Sequence, residues 1–113
     1  MFDKLGQLAG MMKALPRLQE EMQKFQERVG QITDEGDAGA GMVKIRVNGR
    51  MEVTGCTLSD EALRLNDREM LEDLLRGATN QALEKVRRQV AEETSKMASG
   101  LGLPAGMNLP GLT

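Results

Sequence analysis

Apolar residues at Leu8, Met11, Leu15, Leu18, Met22, Phe25, Val29 and Ile32 follow one another in steps of 3, 4, 3, 4, 3, 4 and 3. This unbroken heptad stripe commits residues 1–35 to a helix with one narrow apolar face. Pro16 interrupts it chemically, because proline lacks the N–H that would bond to Met12 and its ring crowds that turn. Either the regular helix starts near Pro16 or the helix is kinked there. A lone helix with such a stripe needs a cover. The candidates are a second copy of the chain, a foreign helix or the chain's own sheet. The expected cover is a dimer seam, alone or combined with sheet packing, through Leu15, Leu18, Met22, Phe25 and Val29 together with Val43, Ile45 and Val47 of the next element.

The chain has 113 residues, enough for one small domain, and pairing with a second copy would add buried surface to a modest core. Its aromatics are Phe2 and Phe25, and it holds nine methionines, so the core must be aliphatic and thioether. It has no His and a single cysteine, Cys56. That composition excludes an internal disulfide, the usual Cys/His zinc sites, Ser-His-Asp and Cys-His catalysis, and the commonest general acid/base. The expectation is a protein that is not an enzyme, with no cofactor, no metal and no small-molecule substrate. No segment approaches an apolar span, and the N-terminus lacks a signal-peptide pattern, so a cytoplasmic location without membrane contact is expected.

After the first helix, Thr33–Gly41 reads as a flexible glycine-rich connection. Met42-Val-Lys-Ile-Arg-Val47 alternates strictly, with Val43, Ile45 and Val47 on one face and Lys44 and Arg46 on the other. Asn48-Gly49 signals a hairpin. The return strand runs from Arg50 to about Leu58, with Gly55 as a bulge candidate. Leu63-Arg64-Leu65 reads as a short third strand or an irregular turn. Asn66 looks like an N-cap, with Glu69 three residues on. A second long helix, about Asp67 to Ser99, carries Leu71, Leu74, Leu75, Ala78, Ala82, Val86 and Val90 on a broad arc suited to packing on a sheet. The fold class is α+β, with residues 1–99 as one domain. Residues 100–113 hold four Gly, two Pro and no charge, and read as a flexible tail.

Several motifs can be weighed for chemistry. The glycines at 36, 39 and 41 do not match phosphate-loop spacing, and they precede a strand rather than a helix. Asp60 with Glu61, and Glu92 with Glu93, read as solvated surface carboxylates. Cys56 has no basic neighbour in sequence and reads as a buried or half-buried packing residue. At about 100° per residue, Lys13, Arg17, Lys24 and Arg28 fall within about 60° around the first helix, roughly opposite the stripe. Such a line can follow a DNA backbone; the same pattern also describes an ordinary solvated helix face. Lys85, Arg87, Arg88 and Lys96 share no single stripe. Lys44, Arg46 and Arg50 share the hairpin region.

The order of features resembles the YbaB/EbfC family. The residues that carry the resemblance are Leu18-Gln-Glu-Glu-Met-Gln-Lys-Phe-Gln-Glu27, Gly39-Ala-Gly-Met-Val-Lys-Ile-Arg-Val-Asn-Gly49, Leu58-Ser-Asp-Glu-Ala-Leu63, Glu69-Met-Leu-Glu-Asp-Leu-Leu75, Asn80-Gln-Ala-Leu-Glu-Lys85 and Gly100-Leu-Gly-Leu-Pro104. The most specific piece is the strand and turn from Gly39 to Gly49. The resemblance implies an α-β-β-β-α protomer with a small antiparallel sheet between two long helices, assembled as a tweezer-like homodimer. It also implies DNA as partner in the bacterial nucleoid, with little sequence preference, and terminal helices as the contact region. Carried to basic residues present here, that role falls to Lys13, Arg17, Lys24, Arg28, Lys85, Arg87 and Arg88. The net charge of -2 favours a different class, a dimeric adaptor whose arms and tail grip a protein partner.

Overall fold

Strict alternation in the middle of the chain organises the molecule. In the computed structural model, which describes residues 2–101 and side chains from residue 4, the elements are α1 (Phe2–Gln31), β1 (Thr33–Ala38), β2 (Val43–Asn48), β3 (Val53–Leu58), α2 (Asp60–Arg64) and α3 (Arg68–Gly100). The strands form one antiparallel sheet in the order β1-β2-β3. The alternation of β2 sends Val43, Ile45 and Val47 to one face, and α3 lies on that face through Ala78, Ala82 and Val86. All six are buried. Small residues on α3 let the helix approach the sheet closely, and Leu71, Leu74, Leu75, Leu83 and Val90 pack around them.

The glycine-rich segment is a strand, not a flexible connection. A Cβ at Gly36 would sit 1.8 Å from the Ala78 carbonyl oxygen, so only glycine allows α3 to lie against β1. The polar residues of β1 are met by one face of α3. Gln89 Nε2 donates to Asp34 Oδ2 (2.7 Å), Lys85 Nζ donates to the Glu35 carbonyl (2.9 Å), and the Asp37 N–H donates to Gln81 Oε1 (2.6 Å). Gln81, Lys85 and Gln89 recur every four residues, one helical turn apart.

The third strand is therefore β1, and Leu63-Arg64-Leu65 is not a strand. The segment belongs to and ends the short helix α2, which Ser59 caps by accepting from the Ala62 N–H. Between β2 and β3 the connection is longer than a two-residue hairpin. Asn48 Oδ1 accepts from the N–H groups of Arg50 and Glu52, and Met51 takes the positive φ of 62°. Gly49 serves close approach instead: a Cβ there would meet the Val29 carbonyl at 1.8 Å. The register shifts between Arg46 and Val47, leaving Thr54 as the extra residue beside Gly55. Asp67, not Asn66, caps α3, accepting from the Met70 N–H. Asn66 sits at φ 49°, a left-handed turn that asparagine tolerates.

Helix α1 ends at Gln31 and runs through Pro16 without a break. It runs antiparallel to α3, with the two meeting where Arg28 pairs with Glu93 and where Ala14 and Leu101 flank one groove. The residues before Ala14 extend past the end of α3, and the molecule measures 76 × 22 × 17 Å. Leu8, Met11, Leu15 and Leu18 are exposed; Met22 and Val29 are half-buried and Phe25 is buried. The expected tail falls largely on residues 102–113, outside the described residues.

Candidate nucleic-acid interface

The basic line of α1 divides in three dimensions. Arg17 and Arg28 turn toward α3 and line a groove of 930 Å³ together with Ala14, Leu18, Glu21, Glu93, Lys96 and Met97. Arg28 Nε donates to Glu93 Oε2 at 3.2 Å, and Lys96 Nζ lies 3.7 Å from the other oxygen of Glu93. Lys24 pairs with Glu20 one turn away at 3.5 Å, and Lys13 is exposed on the projecting part of the helix. The groove wall thus gathers three cations, Arg17, Arg28 and Lys96, around two carboxylates, Glu21 and Glu93. Each ion pair is exposed enough to be worth only about 0.2–1 kcal/mol, so phosphates can compete for the cations.

On α3, Lys85 bonds the β1 backbone and Arg88 pairs with Glu84 at 2.6 Å. Arg87 is exposed, and its position two residues after Lys85 sets it on the opposite side of the helix. These three therefore face three directions. Lys96 is the basic residue that sequence spacing did not single out. It joins Arg28 only through Glu93, 65 positions from Arg28, and no local pattern signals that.

On the face of the sheet away from α3, Lys44 and Arg46 stand opposite Asp37 and Glu35 across β1, and Arg46 lies 3.6 Å from Glu35. That face is charged but balanced. Arg50 lies over Gly30 in the last turn of α1, where a cation offsets the negative end of the helix dipole.

Val43, Ile45 and Val47, expected at a dimer interface, are spent in the protomer's own core under α3. Phe25 is likewise buried within the protomer, while Leu15 and Leu18 remain exposed. Cys56 is exposed rather than packed, because α3 lies over β1 and β2 and, although Leu58 at the end of β3 packs against the core, the rest of β3 is left open. Val53 and Cys56 pair with Val47 and Ile45, so they share the apolar side of the sheet yet stand in solvent, as does Met51 two residues before Val53. Among the described residues, no group of three His, Cys, Asp or Glu is placed to hold a metal ion, and no helix is long and apolar enough to cross a membrane.

Comparison with known proteins places this arrangement. The chain is similar to the uncharacterized protein HP0035 from Helicobacter pylori, known from a crystal structure, at 25% identity and a TM-score of 0.61. The likeness covers 86% of this chain and 96% of that one. Residues 4–101 match the YbaB/EbfC DNA-binding family, nearly all of the described structure, and the chain belongs to that family.

Proposed function

We propose that this protein binds duplex DNA through its phosphates as a homodimer, with little sequence preference, and serves in the bacterial nucleoid rather than as an enzyme. The observation that carries the reading is the match of residues 4–101 to a DNA-binding family, and the cations on α1 and at the end of α3 give it a surface. Lys13, Arg17, Lys24, Arg28 and Lys96 are the residues expected to meet phosphates, with Arg87 and Arg88 earlier on α3. Phosphate contacts fix position without reading bases, which favours weak sequence preference. For the dimer we favour the open side of β3. An edge strand with unpaired backbone and exposed Val53 and Cys56, preceded by exposed Met51, suits a second copy, and it leaves both helical arms projecting.

Gel-shift titrations on random-sequence duplexes across a salt series test the reading. Affinity is expected to fall steeply with salt, and Arg17, Lys24 and Arg28 changed together to Glu to abolish binding. Absence of binding at low salt would sink it. The acidic pI of about 5.2 and the apolar β3 side support a second reading, a dimeric adaptor for a protein partner. A partner that stays bound in pull-downs after nuclease treatment would favour that alternative.

A further inference from the structure

A dimer through β3, as proposed above, would leave an apolar surface uncovered at the far end of the molecule. On the projecting part of α1 and the turn that follows it, Leu5, Leu8, Met11, Met12, Leu15 and Leu18 are 41–67% exposed. At about 100° per residue they fill an arc of roughly 140°, much broader than the seam formed further along by Met22, Phe25 and Val29. Leu18 belongs both to this arc and to the groove beside the end of α3. Leu101 lines the same groove, half-buried, and its N–H closes the last turn by bonding to the Met97 carbonyl. The chain therefore leaves α3 at the mouth of the groove, next to the start of the uncovered arc.

Beyond Leu101 the chain continues through residues 102–113, Gly-Leu-Pro-Ala-Gly-Met-Asn-Leu-Pro-Gly-Leu-Thr. They carry no charge and four large apolar side chains, Leu103, Met107, Leu109 and Leu112. Pro104 opposes further growth of α3 in the same direction. Twelve residues reach about 40 Å when extended, whereas Ala14 to Leu5 spans about 14 Å of helix. Reach, point of departure and chemistry agree.

We propose that residues 102–113 dock onto their own protomer's α1, covering the arc from Leu18 toward Leu5. The docked segment shields the arm's apolar face and leaves Lys13 and Lys24, on the other side of the helix, open to phosphates. It also keeps the arms of separate molecules from associating through their leucines.

The protein has neither Trp nor Tyr, so one introduced indole reports alone. In the full chain, Leu109→Trp should emit well to the blue of a solvated indole. Leu8→Gln with Met11→Gln should return that emission to the solvated value, while circular dichroism stays unchanged. The gentler Leu8→Ala should shift it part of the way, so that a double variant with disturbed helicity does not decide the matter alone. Mixing the indole-bearing chain with excess Leu8→Gln, Met11→Gln chain that lacks the indole should change nothing. Solvated emission in the starting protein, or blue emission indifferent to the arm substitutions, would overturn the proposal. So would emission that moves on mixing or dilution, since the segment would then lie on a second copy.

Discussion

Helices α1 and α3 are nearly equal in length, 30 and 33 residues, but they are held in opposite ways. Helix α3 lies on the sheet through Ala78, Ala82 and Val86, each with no exposed surface. Helix α1 has the more regular apolar pattern, yet among its described residues only Phe25 is buried, and it meets α3 across a groove rimmed by charge. Regular spacing of large residues therefore marks a face that can be covered. Small residues mark a face that is covered closely. Side-chain size at the contact, more than periodicity, tells the core helix from the arm.

The sharpest way to break this contrast is to deny α3 its close approach. Gly36→Ala places a Cβ 1.8 Å from the Ala78 carbonyl and 2.7 Å from the Ala82 nitrogen, both backbone atoms that cannot turn aside. A cost of about 3 kcal/mol or more is expected, read as a collapse of the denaturant midpoint. A loss below about 1 kcal/mol would mean that α3 floats on the sheet and the contrast is wrong. Ile45→Ala empties a buried position and should cost between roughly 2 and 5 kcal/mol. Leu8→Ala, on the projecting arm, should stay within about 0.5 kcal/mol. Equal losses for these two would place the arm inside the cooperative unit.

The same contrast explains what could be read from the residues in advance. Strand β2 was legible because its two faces meet different solvents, and Val43, Ile45 and Val47 alternate with Lys44 and Arg46. Strand β1 was not, because its inward positions are Asp34, Gly36 and Ala38, whose fitness depends on Gln89 and on the backbone of α3. Nothing near residue 34 in the sequence announces a glutamine 55 positions away. The heptad stripe identified a helix correctly but not its cover: the half near Phe25 turned inward and the half near Leu8 did not. The open β3 side and exposed Cys56 follow from where α3 comes to lie, which is a tertiary fact. The basic line survived only as angles around an axis, since Arg28 and Lys96 are organised by Glu93.

Glu93 also supplies the smallest and most discriminating prediction. It bridges the arm to α3 by holding Arg28 at 3.2 Å and Lys96 at 3.7 Å, while remaining 23% exposed itself. Glu93→Gln gives up partly exposed ion pairs, so stability should fall by well under about 1 kcal/mol. The substitution also removes a negative charge from the surface proposed to meet DNA and releases two cations. Duplex affinity should therefore rise a few-fold at low salt, and the slope of log affinity against log salt should steepen by up to about 0.9 for each phosphate newly contacted. Stability and affinity then move in opposite directions, which a merely weakened fold would not produce. If affinity falls instead, Glu93 is holding Arg28 in its binding pose, and the charged rim between the two helices is a fixed part of the interface rather than a competitor for it.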